Sequence, residues 1–102
     1  MSGASPAPAN TSRPVASKEV TVQNRQGIHA RPSAAFVKLA AQFRSEVFLE
    51  KDGETINGKS IMGLLMLAAG PGSKIRIVCQ GDDAPVALDR LVELVNSRFG
   101  KA

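Results

Sequence analysis

The sequence has neither tryptophan nor tyrosine, and its aromatic side chains are four phenylalanines. Many proteins that bind single-stranded nucleic acid stack bases on exposed aromatic rings, so that class has little support here. The formal net charge is +4, yet nine acidic residues are interspersed among thirteen basic ones, with no long basic run. We therefore expect no nucleic-acid partner, and a small basic RNA-binding domain is the least favoured alternative.

Cysteine is almost missing as well, because Cys79 is the sole example. An internal disulfide is thus excluded, and the alternation of Cys79 with Ile75 and Ile77 predicts a buried residue on a strand. No apolar run is as long as a membrane span, and the first residues lack the basic-then-apolar pattern of a secretory signal. We expect a cytoplasmic protein with no membrane insertion, no metal and no cofactor.

A length of 102 residues, of which 43% are hydrophobic, is typical of a single globular domain. Residues 1–17 are rich in serine, alanine and proline and show no apolar period, which predicts a disordered tail. Folded structure is expected to begin at Lys18, so that residues 18–102 form the domain.

Alternating apolar and polar residues predict strands over residues 18–23, 46–51, 54–56 and 74–80. Asp52-Gly53 matches the two-residue turn of a β-hairpin between the second and third strands.

Apolar residues spaced for a helix predict three helices. Pro32 suits the first turn of the first helix, and Ser60 and Asp83 are candidate N-caps of the second and third. The predicted stripes are Phe36, Leu39, Ala40 and Phe43; Ile61, Leu64, Leu65 and Ala68; and Leu88, Leu91, Val92, Val95 and Phe99, with Gly100 at the C′ position of the last helix. The order β-α-β-β-α-β-α predicts an α+β fold with helices covering one face of a sheet.

The single histidine, His29, lies where the loop after the first strand becomes a helix. A histidine nitrogen is a good nucleophile for phosphoryl groups, and a helix start offers unpaired N–H donors at the positive end of its dipole. Arg31 adds a guanidinium suited to phosphate oxygens. From the residues alone, a lone histidine before a helix is more often a cap or a surface residue, and an arginine such as Arg31 is usually a solvated surface charge.

Two motifs give the chain a resemblance to a known family. Residues 27–34, Gly-Ile-His-Ala-Arg-Pro-Ser-Ala, resemble the active-site motif of HPr, the histidine-containing phosphocarrier of the bacterial phosphoenolpyruvate-dependent phosphotransferase system. Residues 57–63, Asn-Gly-Lys-Ser-Ile-Met-Gly, resemble its regulatory-serine motif. The resemblance implies an HPr-like open-faced β-sandwich, with a four-stranded antiparallel sheet and three helices on one face.

By this resemblance the chain is a phosphocarrier rather than a stand-alone enzyme. His29 would accept a phosphoryl group from Enzyme I, which draws it from phosphoenolpyruvate, and would pass it to an Enzyme IIA domain. Because transfer occurs between proteins, we expect His29 to be exposed. The backbone N–H groups of Ala30 and Arg31, together with the Arg31 side chain, would surround the phosphoryl group.

Ser60 has two interpretations that the sequence leaves open. As an N-cap it needs no further role. By resemblance it is also a phosphorylation site for an HPr kinase/phosphorylase, and a phosphate at a helix N-terminus is compatible with the fold.

The resemblance also implies a surface for partners. Contacts with Enzyme I and Enzyme IIA are expected at Lys38, Lys59, Ile61 and Met62, with Ile61 and Met62 partly exposed beside His29. The inward face of the same helix is expected to be Leu64, Leu65 and Ala68. A transient carrier of this kind is expected to be a monomer.

The branch of the family stays open. Ala41 stands where the sugar branch of enteric bacteria has lysine, and the run at residues 64–67 resembles the nitrogen branch. Residues 59–63 instead resemble the kinase-regulated type. A carrier that feeds sugar import is therefore weighed against a nitrogen-type or purely regulatory relative that controls kinases, transporters or transcription.

Overall fold

The computed structural model of the chain describes residues 14–67 and 69–101. In this part of the chain the elements are, in order, β1 (Val15–Thr21), α1 (Ala30–Ala40), β2 (Glu46–Lys51), β3 (Glu54–Asn57), α2 (Ile61–Leu67), β4 (Lys74–Gln80), α3 (Ala84–Asn96) and α4 (Arg98–Lys101).

The strands form one antiparallel sheet in the order β1-β4-β2-β3. Because side chains alternate along a strand, one face carries apolar residues and the other is polar, with Lys74 and Arg76 exposed. The helices pack on the apolar face, where the largest buried side chains are Phe36, Leu49, Leu64, Ile75, Ile77 and Leu91. The predicted open-faced β-sandwich is confirmed.

Most strand predictions agree closely with the structure. Predicted strands 46–51 and 74–80 have the bounds of β2 and β4, and β3 extends one residue beyond its predicted end. At the hairpin turn, φ is +52° at Asp52 and +84° at Gly53. Two consecutive positive φ values are the signature of the type I′ turn, whose twist matches that of the flanking strands.

The first strand differs from its prediction. It begins at Val15 rather than Lys18, pairs Val15 with Gln80, and ends at Thr21. The Gly81 N–H extends this pairing by donating to the Pro14 carbonyl (2.9 Å). Residues 15–17 belong to the strand because their backbone pairs with β4, although their side chains show no apolar alternation. The rest of the predicted tail, residues 1–13, lies outside the described residues.

The C-terminal helix also ends differently. α3 stops at Asn96, and α4 is a left-handed turn in which φ is +59° at Arg98, +56° at Phe99 and +74° at Gly100. Gly100 is therefore not the residue that ends α3. Left-handed backbone costs a non-glycine residue about 1–2 kcal/mol, a penalty of the same order as the gain from burying a phenylalanine side chain. Phe99, 4% exposed, is buried as predicted, but by this turn rather than by a continuous helix.

Candidate functional site

The loop before His29 is held by backbone and side-chain hydrogen bonds. The Gly27 N–H donates to the Asn24 carbonyl (3.1 Å), and the Asn24 amide donates back to the Gly27 carbonyl. The Ile28 N–H donates to the carbonyl of Ala69, beyond α2 (2.8 Å). A Cβ at Gly27, where φ is +71°, would lie 2.5 Å from that Ala69 oxygen. Glycine is therefore required at this position.

His29 is the N-cap residue of α1, with extended backbone (φ −123°, ψ −162°). Its carbonyl accepts the first helical hydrogen bond, from the Ser33 N–H (2.9 Å), but its side chain makes no capping hydrogen bond. The residue is partly exposed, so the ring is not sealed inside the protein. The helix starts directly after His29, and Pro32 is buried in the first turn as expected.

The start of α1 offers hydrogen-bond donors and positive charge that suit an anion. The N–H groups of Ala30 and Arg31 have no acceptor among the residues that the structure describes, and Pro32 has no N–H to donate. Arg31 is exposed and makes no ion pair within the same residues. His29 is thus flanked by two free N–H donors, the positive end of the helix dipole and a free guanidinium.

Charge is distributed unevenly around this site. The sequence has no aspartate or glutamate between Glu19 and Glu46, which is the segment that contains the His29 loop and α1. The basic residues of that segment are Arg25, Arg31, Lys38 and Arg44, and all four are exposed. The segment therefore contributes positive charge to the surface and no carboxylate of its own.

Ser60 is the N-cap of α2, as predicted. Its hydroxyl oxygen accepts a hydrogen bond from the Gly63 N–H (3.0 Å), and its carbonyl accepts one from the Leu64 N–H (3.1 Å). Before it, Gly58 leaves no room for a side chain, because a Cβ there would lie 2.5 Å from a methyl carbon of Val47. Ser60 is partly exposed, so its hydroxyl is both structural and within reach of solvent. Its phosphorylation stays a prediction.

The α2 helix exposes more apolar surface than predicted. Ile61 and Met62 are exposed, by 43% and 66%, and Met66 by 73%. Leu65, expected to point inward, is 37% exposed, and that prediction is wrong. A helix of seven residues offers the core one narrow stripe, which Leu64 and Leu67 fill; Ala68 lies outside the described residues. We refer to Ile61, Met62, Leu65 and Met66 as the α2 patch.

Lys59 and Lys38 have different environments. The Lys59 ammonium donates to the Phe43 carbonyl just beyond α1 (2.8 Å), so this side chain is engaged within the chain. Lys38, in the last turn of α1, is exposed and makes no ion pair in the described part of the chain. Of these two predicted contacts, only Lys38 is free to meet a partner without giving up an internal bond.

Asp83 has a role that the sequence did not indicate. It precedes α3 but makes no capping hydrogen bond with its side chain. Its carboxylate instead accepts hydrogen bonds from the backbone N–H groups of Arg44 and Ser45 (both 2.9 Å) and from the Ser45 hydroxyl. The Ser45 hydroxyl, followed by the Arg44 N–H, lowers the pKa of Asp83. The predicted cap is in fact a link between α3 and the loop after α1.

Cys79 is buried, as its position in the alternating pattern predicted. Burial raises the pKa of its thiol to about 11, and the charge of Asp83 adds to the rise while Lys59 opposes it. A thiol of this kind stays protonated and is not a nucleophile at neutral pH. Among the described residues no group of three or more histidine, cysteine, aspartate or glutamate side chains could hold a metal ion.

Two buried polar residues near the site escaped sequence analysis. Asn24 is 3% exposed and Ser33 is fully buried, and each has a side-chain oxygen with no hydrogen-bond partner in the part of the chain that the structure describes (Asn24 Oδ1 and Ser33 Oγ). The one available signal was the spacing of Asn24, three residues before Gly27, since asparagine side chains often bond to nearby backbone in turns.

No helix within the described residues is both long enough and apolar enough to cross a membrane.

Comparison with known proteins agrees with this geometry. Residues 16–97 match the family model described as PTS HPr component phosphorylation site. The HPr-like protein Crh of Halalkalibacterium halodurans is 46% identical over 78 residues, 76% of this chain and 93% of that protein. The phosphocarrier protein HPr of Neisseria meningitidis is 43% identical over 84 residues, 82% of this chain and 94% of that protein. The crystal structure of HPr from Bacillus anthracis matches with a TM-score of 0.76 and 47% identity, covering 79% of this chain and 96% of that one. The chain belongs to the HPr family of phosphocarrier proteins.

Proposed function

We propose that this protein accepts a phosphoryl group on His29 from Enzyme I, charged by phosphoenolpyruvate, and passes it to an Enzyme IIA domain. The observation that carries the proposal is a partly exposed histidine directly before two backbone N–H groups, where neither its side chain nor these N–H groups have a hydrogen-bond partner among residues 14–67 and 69–101. A ring so placed can meet a donor and then an acceptor without any rearrangement of its own hydrogen bonds.

The chemistry uses the groups around His29 in a defined way. The lone pair of Nδ1 attacks phosphorus, and the new N–P bond forms as the bond to the donor breaks. The phosphoryl oxygens then lie near the N–H groups of Ala30 and Arg31, whose partial charges and dipole favour an anion. Arg31 neutralises charge while two proteins share one phosphorus, because its guanidinium is not engaged by an acidic side chain of the described chain.

The surface around the site fits acidic partners that also offer apolar contact. The α2 patch supplies exposed methionines, which adapt to more than one partner. Lys38 and Arg31 supply positive charge in a segment without carboxylates. Complementary charge accelerates encounter and apolar contact stabilises the complex, which is the combination that a transient carrier requires.

We also propose that Ser60 is phosphorylated by an HPr kinase/phosphorylase. A phosphate there would remain at the N-terminus of α2, which tolerates negative charge. The same phosphate would adjoin the α2 patch, since Ile61 follows Ser60 directly. Binding of acidic partners would then weaken through charge repulsion.

A purely regulatory carrier is the second candidate function. It is favoured by the similarity to Crh proteins, which is as high as that to HPr proteins, 46% against 43% in the two comparisons above. In that case the phosphorylation state of Ser60 would control a regulator, and transfer through His29 to a sugar-specific Enzyme IIA would not occur.

The test is phosphorylation by purified Enzyme I with labelled phosphoenolpyruvate, followed by transfer to Enzyme IIA. Acid-labile label on the wild type and none on His29→Ala supports the proposal. Label that never leaves for any Enzyme IIA would favour the regulatory candidate. No label on the wild type would refute the phosphocarrier function.

We further propose a cytoplasmic monomer. Solved structures of relatives include a dimer of HPr from Thermoanaerobacter tengcongensis and a dimer of Crh from Bacillus subtilis with a swapped domain. Sedimentation equilibrium over a range of concentrations tests the monomer, and a mass that rises toward twice 10.7 kDa would contradict it.

A further inference from the structure

The position of the His29 ring is not set by its own hydrogen bonds. Its side chain makes no capping bond and has no other hydrogen-bond or ionic partner in the described part of the chain. What fixes the residue is the backbone on either side, namely the first turn of α1 after it and the loop from Asn24 to Ile28 before it. The geometry of that loop therefore decides where the ring lies relative to the N–H groups of Ala30 and Arg31.

Asn24 holds the loop from within. Its side-chain amide donates to the Gly27 carbonyl, while the Gly27 N–H donates to the Asn24 carbonyl (3.1 Å). The peptide group oriented by this pair is the one that joins Gly27 to Ile28, and the N–H of Ile28 donates to the Ala69 carbonyl (2.8 Å). His29 follows next, so a rotation of that peptide would move the ring.

The burial of the Asn24 side chain lowers the stability of the folded protein. It is 3% exposed, and its Oδ1 is buried without a partner. A buried acceptor that lacks a partner loses hydration without compensation, whereas an apolar side chain of similar shape would not. What asparagine supplies and an apolar residue does not is the donor to the Gly27 carbonyl.

We propose that Asn24 is a positioning residue for phosphoryl transfer, which rests on the proposed function of His29. Its amide fixes the Gly27–Ile28 peptide, and through it the attack angle of the His29 nitrogen on phosphorus. Asn24 touches neither the phosphoryl group nor a partner, since it is buried. Its effect is therefore on the rate within the complex and not on the formation of the complex.

The test compares Asn24→Ala with Ser45→Ala as a matched control. Ser45 is also buried, and its substitution also removes a side-chain hydrogen bond, but it lies beyond the opposite end of α1. Steady-state transfer from phosphorylated Enzyme I is measured with each protein as the varied acceptor. We expect kcat of Asn24→Ala to fall about tenfold with KM within about twofold of wild type, because misplacement of reacting atoms slows chemistry without weakening binding. Ser45→Ala should keep both constants.

Asn24→Leu keeps a side chain of similar size and loses the donor, so it should reproduce the fall in kcat if Asn24→Ala fails to fold. An unchanged kcat in either folded variant would overturn the proposal, as would an equal loss in Ser45→Ala or a rise in KM alone. Failure of the wild type to accept label is a different result. It would refute the proposed function of His29, on which the role of Asn24 rests.

Discussion

Substitution of Gly27 by alanine tests how tightly the His29 loop rests on the segment after α2. Two penalties combine at this position. A φ of +71° costs a non-glycine residue about 1–2 kcal/mol. The new Cβ would also lie 2.5 Å from the Ala69 oxygen and 2.8 Å from the Gly70 α-carbon, and both are backbone atoms that cannot rotate away.

Relief of the clash requires the loop to move away from Ala69, which breaks the hydrogen bond from the Ile28 N–H. Loss of a partner for a buried backbone group costs about 1–3 kcal/mol. The two penalties sum to a destabilisation of about 2–5 kcal/mol for Gly27→Ala. Gly53→Ala provides the matched control, because φ there is +84° and no atom lies within 4 Å of the added Cβ. That variant should lose only the backbone term, about 1–2 kcal/mol.

Urea unfolding followed by circular dichroism measures both variants. With a slope of about 1–2 kcal/mol per M, the midpoint of Gly27→Ala should fall by about 1–5 M and that of Gly53→Ala by about 0.5–2 M. At urea concentrations too low to unfold either variant, the rate of phosphoryl acceptance on His29 should be lower in Gly27→Ala than in the wild type. In Gly53→Ala it should equal the wild-type rate. Equal midpoints for the two variants would refute the predicted clash with Ala69 and Gly70, because the positive φ alone would then explain both destabilisations.

Three further predictions concern single side chains. Arg31→Ala should slow phosphoryl transfer by about 100–1,000-fold in a stopped assay with Enzyme I, the range expected when one donor to the charge of a transition state is lost, while the urea midpoint stays unchanged. Ser60→Ala should lose the bond to the Gly63 N–H and about 1 kcal/mol of stability by urea unfolding, and Ser60→Thr, which keeps a hydroxyl, should recover most of it. Asp83→Asn should lower the urea midpoint near neutral pH. Because hydrogen bonds lower the pKa of Asp83 in the folded state, its contribution is present above the ordinary aspartate pKa and disappears as pH falls through the lowered value. Midpoints that differ equally at pH 7 and in strong acid would contradict this assignment.

Local patterns in the sequence were sufficient where the structure is locally determined. Alternation placed the bounds of β2 and β4, and the pair Asp52-Gly53 identified the hairpin turn. Burial on one face of a sheet produces that alternation directly, so no tertiary information is needed. The His29 loop was found for a similar reason, since a polar loop followed by Pro32 and an apolar stripe predicts a helix start.

Features that depend on distant residues were missed. Asp83 has the composition of a helix cap, but its hydrogen-bond partners lie 38 and 39 residues earlier, in the loop after α1. Arg98 and Phe99 adopt left-handed backbone that neither residue favours, and only the burial of Phe99 in the core explains it. The exposure of Leu65 follows from the short length of α2, whose one inward stripe is filled by Leu64 and Leu67.

Within the described residues the His29 ring has no hydrogen-bond partner, and this arrangement has a chemical reason. A carrier must offer one nitrogen to a donor and then to an acceptor, and a hydrogen bond to that nitrogen would have to break in each transfer. A ring held through its own nitrogens would therefore be slowed at both steps. Order supplied through the backbone avoids this conflict, because the Asn24–Gly27 pair, the Ile28–Ala69 bond and the first turn of α1 restrict the residue while both ring nitrogens stay free. Rigidity of the loop and freedom of the ring are thus complementary requirements of reversible phosphoryl transfer.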